Sequence, residues 1–291
     1  MKMKHILYIL MFLSGPVVLA QENPNFSLYK FNMNMINPAY AGAYGDQVNF
    51  NYRSSGIENG PVSQGGSVSF AMAGNFGLGV SVVNDEVFVQ NQTAATVDAS
   101  YYIDLSEKSQ LYFGLKLGAN FVSVDFSDIV ITDPNDPLFG QSESITNPVV
   151  GFGALLKGEN YFVHFSIPSF LRGNMYQLDG AASDVGVSGE TPIAYYLGAG
   201  MNFSLSEEIE FLPSIYTRFE SNQTSVDVIA GFDFYKLIEA GGLYRFEGMY
   251  SAYALLHLKT LMDIGYAYSA NTGDFQNYND GSHELVLKIK F

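Results

Sequence analysis

Apolar and polar positions alternate along most of this chain. Residues 111–121, LYFGLKLGANF, put Leu111, Phe113, Leu115, Leu117, Ala119 and Phe121 on one face. Tyr112, Gly114, Lys116, Gly118 and Asn120 fall on the other. A strand turns successive side chains to opposite faces, so one face is greasy and the other small or polar. Residues 193–205 repeat the pattern, and the last nine residues set Leu285, Leu287, Ile289 and Phe291 against Val286, Lys288 and Lys290. The alternation predicts about fourteen strands, near 46–55, 61–73, 76–84, 92–104, 109–123, 148–158, 160–168, 191–204, 208–219, 225–235, 236–246, 250–258, 260–270 and 283–291.

The gaps between these runs carry a second pattern. Every second gap is short: 74–75, 105–108, residue 159, 205–207, the junction at 235/236 and Lys259. The intervening gaps are mostly longer: 56–60, 85–91, 124–147, 169–190, 220–224, 247–249 and 271–282. Tight turns on one rim and long loops on the other predict an all-β fold, a closed antiparallel outer-membrane β-barrel. Closure removes edge strands and pairs every backbone group inside the bilayer. The same rule assigns the short turns and both termini to the periplasm. A β-sandwich does not account for alternating gap lengths.

Composition adds the compartment. Lys2 and Lys4, the apolar run Ile6 to Leu13, and small residues at Val18 and Ala20 predict a signal peptide over 1–20, cleaved after Ala20. Losing Lys2 and Lys4 lowers Lys+Arg from 14 to 12 against 29 acids, a formal charge near −17. That balance argues against nucleic acid as a partner. The chain has no cysteine, which excludes thiolate metal sites and cysteine nucleophiles. It has 20 Tyr, 23 Phe, 29 Gly and no Trp, and only 15% of residues are charged, against about 25% in an average soluble domain. These values fit a membrane barrel with outer-membrane lipid around it.

Energetics then assign faces. Lys or Arg at the lipid-facing midplane costs about 2–4 kcal/mol. Lys116, Asp98, Asp227, Asp233, Glu239, Arg245 and Asp263 are therefore expected in the lumen or near a rim. In 236–246 this turns Ile238, Ala240, Gly242, Tyr244 and Phe246 outward.

Residues 21–45 precede the first strand and the barrel of 46–291. The stretch MNMINPAYAGAYGD at 33–46 has neither helical period nor strand alternation. Asn37 before Pro38 must be extended or in a turn, and Gly42 and Gly45 permit tight turning. The Phe, Tyr and Met content of 26–45 is too apolar for a solvated tail. An ordered segment is expected, at the periplasmic mouth or as a plug in the lumen.

The opening SLYKFNMNMINPAYAG, with Ile36, Asn37, Pro38, Ala39, Tyr40, Ala41 and Gly42 intact, resembles the signature opening of the PorP/SprF family. These are Bacteroidetes outer-membrane proteins of the type IX secretion system. NYRSSGIENGPVSQGGSVSF resembles the family's first hairpin but has Ser54 and Ser55 where a tryptophan is usual. GNFGLGVSVVND, TDPNDPLFG, PVVGFGALLKGENYFVHFSIPSFL, FLPSIYTRFE, GGLYRF, IGYAYSANTGDFQ and GSHELVLKIKF follow in family order over essentially the whole mature chain. The resemblance implies a barrel that supports delivery of large secreted proteins to the cell surface, including the mobile adhesin of gliding bacteria. The implied partners are the C-terminal domain of a secreted surface protein and periplasmic ring components of the machine. The alternative is an outer-membrane transporter for small hydrophobic molecules, which shares strand count and plug.

No catalytic constellation, cofactor motif or metal site stands out. A phospholipase would need a serine–histidine pair with an orienting group; His164 and His257 lie within strands, and His283-Glu284 reads as a rim feature. The glycines of GFGALLKG lie in an alternating strand, outside the strand-to-helix setting of a phosphate loop. Asp128, DPNDP at 133–137 and Glu143 lack EF-hand spacing and read as a solvated turn cluster. The long loops 124–147 and 169–190 are the expected partner surface.

Overall fold

The computed structural model describes residues 26–57, 60–125, 142–178, 187–221, 223–259, 261–272 and 281–291. The signal peptide with its cleavage point, and the cluster formed by Asp128 and 133–137, lie outside the described residues. The strands are β1 (Gln47–Ser55), β2 (Val62–Ala71), β3 (Phe76–Val87), β4 (Gln90–Ser106), β5 (Ser109–Asp125), β6 (Ser142–Gly158) and β7 (Tyr161–Ile167). A separate hairpin of β8 (Gly173–Leu178) and β9 (Val187–Thr191) follows. The chain continues through β10 (Tyr195–Met201), its short continuation β11 (Phe203–Ser204), β12 (Ile209–Phe219), β13 (Thr224–Phe234), β14 (Ile238–Arg245), β15 (Met249–Leu258), β16 (Met262–Asn271) and β17 (Ser282–Lys290).

Each wall strand pairs antiparallel with its sequence neighbours, β7 with β10 across the hairpin, and β1 closes on β17 from Gln47↔Lys290 to Ser55↔Ser282. Counting β10 and β11 as one stave, the barrel has fourteen staves. Among the described residues the ladders between neighbouring staves leave no edge free. Both ends of the barrel, near Gln47 and Lys290, lie on the short-turn rim, the periplasmic one by the turn-length rule.

Burial follows the predicted parity. In β5, Phe113, Leu115 and Leu117 are exposed on the outer face, while Tyr112 and Lys116 are buried inside. The outer face carries an aliphatic belt that includes Leu78, Val80, Val97, Leu115, Leu197 and Ile264. Aromatics flank it, with Phe76, Tyr161 and Phe203 toward the short-turn rim and Tyr195, Tyr250 and Tyr268 toward the other. That is the girdle arrangement of a barrel bathed in lipid.

The loops depart from the expected lengths. The gap expected at 85–91 closes to the two-residue turn Phe88-Val89, because β3 runs on to Val87 and pairs with Gln90. Phe88 adopts φ 56° there, a left-handed turn without glycine. The loop expected at 124–147 shrinks because β5 and β6 pair out to Asp125↔Ser142. At 17 residues each, β4, β5 and β6 exceed the roughly 9–11 needed to cross a bilayer and project beyond the long-loop rim. The loop expected at 169–190 contains the β8–β9 hairpin, and the stave expected from 191 starts at Tyr195.

Candidate functional site

The lumen is filled by the chain's own N-terminal segment. Residues 26–45 form three short 3-10 turns, Tyr29–Phe31, Met33–Met35 and Pro38–Tyr40. The segment rises from the short-turn rim at Gly45 to Phe26 in the outer half of the barrel. Ser27 and Leu28 reach Glu284 near the outer end of β17, while Asp46 accepts from Ala71 N at the opposite rim. Leu28, Met33, Ala39, Tyr40 and Ala43 pack with inward side chains such as Tyr112, Leu155 and Tyr216 into one core.

The motif Ile36–Gly42 is shaped by its own residues. Asn37 is extended before the proline (φ −136°, ψ 109°), as the pre-proline rule requires. Its Oδ1 accepts from Ala39 N at 2.9 Å and caps the Pro38–Tyr40 turn. Its Nδ2 donates to the carbonyls of Ala154 and Phe165, both at 3.3 Å, and so ties the turn to β6 and β7. Tyr40 meets His164 edge-on at 5.7 Å and stacks with Tyr44 at 5.9 Å. The Ala41 carbonyl accepts from Ser100 Oγ at 2.6 Å. Gly42 has φ 70° and lies against the Phe70 carbonyl, so both its backbone and its contacts demand glycine. Ile36 is half-buried at the outer surface of the segment.

The wall is shaped to match. A Cβ on Gly77 would land on the Ala41 carbonyl, one on Gly114 on the Pro38–Ala39 peptide, and one on Gly153 on the Asn37 amide. Glycines on three separate strands therefore form the floor on which the motif lies.

Charged side chains complete the grip. Lys116 is 1% exposed, pairs with Asp98 Oδ1 at 2.8 Å and donates to the Asn34 carbonyl at 3.0 Å. Arg245 grips Asp227 in a bidentate pair at 2.7 and 2.8 Å, and Asp227 accepts from Tyr29 Oη at 3.2 Å. Glu239 holds Lys30 at 2.5 Å and accepts from Tyr253 Oη at 2.7 Å. Burial pulls the Lys30 ammonium below its ordinary pKa, while Glu239 pushes it back up. Lys157 donates to the Ala43 carbonyl and lies 4.4 Å over the Tyr44 ring.

Five of the seven expected charges, Lys116, Asp98, Asp227, Glu239 and Arg245, thus hold the segment or brace a group that does. The other two stay at the short-turn rim. Asp263 pairs with His257 at 2.9 Å and Lys290 at 2.7 Å, and Asp233 faces His257 at 3.6 Å. The rim reading of His283-Glu284 is corrected for the glutamate. Glu284 is 1% exposed and accepts the backbone N–H groups of Ser27 at 2.6 Å and Leu28 at 3.1 Å. Only His283 faces outward, bonded to Tyr266 at 2.7 Å. Strand parity carried the signal, because Glu284 shares its face with Val286 and Lys288.

Above the segment, Phe26, Tyr29, Met35 and Ile36 line a cavity of about 210 Å³. Its walls come from the outer ends of the staves and the root of the β8–β9 hairpin.

The fold recurs in solved structures. The toluene transporter TbuX of Ralstonia pickettii superposes with TM-score 0.54 at 10% identity, covering 89% of this chain and 93% of that one. The monoaromatic hydrocarbon channel CymD superposes with TM-score 0.51 at 13% identity, covering 88% and 91%. At these identities the likeness is one of fold. No curated protein matches the sequence. The family model for the type IX secretion system membrane protein PorP/SprF matches residues 18–289. With that match over nearly the whole chain, its signature opening docked in the lumen of an outer-membrane barrel, the chain belongs to the PorP/SprF family of type IX secretion system membrane proteins.

Proposed function

We propose that this barrel supports export or surface attachment of a large secreted protein of the adhesin type, engaging that protein's C-terminal domain on its outer side. Its short-turn rim faces periplasmic components of the secretion machine. Family membership makes the chain a membrane component of the type IX secretion system, in line with this reading. The observation that carries the reading is the filled lumen: a segment held from Ser27 to Ala43 by side chains of the wall. A fixed plug suits a docking scaffold, whose binding surfaces are its rims.

The transporter alternative shares its fold with TbuX and CymD, but it needs a path through the lumen or the wall. The motif occupies the lumen, and the ladder around Gly65-Gly66 is continuous from Val62↔Glu86 to Ala71↔Gly77.

The test is a clean deletion of the gene followed by mass spectrometry of surface and medium proteins. One large secreted protein is expected to vanish from the surface or accumulate inside. An unchanged secreted set with reduced uptake of an apolar nutrient would overturn the proposal.

A further inference from the structure

The cavity lies between the plug and the long-loop ends of the staves: Phe26, Tyr29, Met35 and Ile36 line its inner side, and Gln92, Asn147 and Thr191 its outer side. We propose that it is a socket for a short extended stretch of the secreted partner's polypeptide; this rests on the protein-export reading above.

Two amides on its wall identify the ligand as a peptide backbone. Asn120 on β5 and Asn147 on β6 are direct cross-strand neighbours, and both line the cavity. Asn147 already reads extended backbone. Its Nδ2 donates to the Asn174 carbonyl at 2.8 Å, and its Oδ1 accepts from Asn174 N at 2.9 Å. It thereby acts as a one-residue strand partner for the start of β8. Asn120 is 9% exposed, and its Oδ1 is buried with no hydrogen-bond donor among the described residues. Buried carbonyl oxygens are nearly always satisfied in native proteins. The group that satisfies such an oxygen next door is a backbone N–H, so Asn120 is the acceptor for a second extended segment beside β8.

The rest of the lining suits that occupant. Val83, Ala94, Pro148, Val149, Pro168 and Leu171 supply apolar surface for alternate side chains. Main-chain hydrogen bonds combined with side-chain pockets are how an extended peptide is recognised at a sheet.

The experiment places a photo-reactive benzoylphenylalanine at Val149, or at lipid-facing Leu117 as control, in cells whose only copy is the variant. Illumination is expected to join the Val149 variant, and not the control, to a secreted protein, with the adduct mapping to one short segment of it. Asn120→Leu is expected to lower the surface amount of that protein about tenfold, the effect of one lost buried hydrogen bond. Ala94→Trp, which fills the cavity from the wall, is expected to lower it as well. Heat-modifiable gel migration checks that each barrel is folded. If gene deletion removes a surface protein but Val149 captures nothing and folded Ala94→Trp leaves its amount unchanged, the socket is overturned and the export function stands. If Val149 captures only a small lipid or other small molecule, the peptide is overturned. If deletion leaves the secreted set unchanged, both readings fall.

Discussion

Two irregular pieces of chain lean on this barrel, and they are held in opposite ways. The N-terminal segment touches the wall along its whole length. Glu284, Asp227, Glu239, Lys116, Ser100 and Lys157 each take a different residue of it. Among the described residues, the β8–β9 hairpin is tied to the wall by the Asn147 amide on Asn174. The first arrangement is redundant, so losing one anchor leaves the others; the second has one such side-chain latch among the described residues.

The largest effect is expected where the anchor is itself buried and charged. Lys116→Met leaves Asp98 inside the wall without its cation and removes the donor to the Asn34 carbonyl. Breaking a buried pair from one side costs about 3–5 kcal/mol. The melting temperature of the detergent-solubilised barrel should fall clearly, and Lys116→Met with Asp98→Leu should recover most of the loss.

Gly114→Val comes next. Its side chain must displace the Pro38–Ala39 peptide, an overpacking cost of about 1–3 kcal/mol or more. Protease cleavage within 26–45 is the expected readout. Gly66→Val, whose Cβ meets the Phe50 ring and the Asn49 carbonyl at ordinary contact distance on the lipid face, should leave the segment protected.

Asn37→Ala removes a turn cap and two bonds to the wall, for about 1–2 kcal/mol. Because the other anchors remain, the segment should loosen around Pro38 without leaving, seen as faster amide exchange confined to residues near 37–40.

Asn147→Ala is the smallest change in global terms, about 1 kcal/mol. It should leave the barrel's melting temperature nearly unchanged while the hairpin near Asn174 becomes open to protease. If Asn37→Ala frees the whole N-terminal segment as readily as Asn147→Ala frees the hairpin, the contrast between redundant and single anchoring is wrong.

The contrast also separates what a chain tells from what only a fold tells. The staves were legible because lipid on one side and lumen on the other impose strict alternation, as with Leu115 against Lys116. Strand ends failed where that pressure stops. Residues 142–147 project past the membrane, where no lipid face forces apolar alternation, so β6 reads as loop. The turn at Phe88-Val89 hid because two good strand formers occupy it. The motif Ile36–Gly42 was legible as an ordered element, but its seat was not. Gly77, Gly114 and Gly153 come from three strands far apart in sequence, and only register brings them beneath Ala41, Pro38 and Asn37. Glu284 was misplaced at the rim because its neighbour His283 drew it there, although parity turned it inward.

The central claim is that residues 26–45 are a fixed part of the lumen. The most direct test is digestion of the folded, detergent-purified protein with a broad-specificity protease, mapping cuts by mass spectrometry. The account predicts no cut between Phe26 and Gly45 while the barrel stays intact. Rapid cleavage within the Asn37 to Gly42 stretch of an otherwise folded barrel would contradict it.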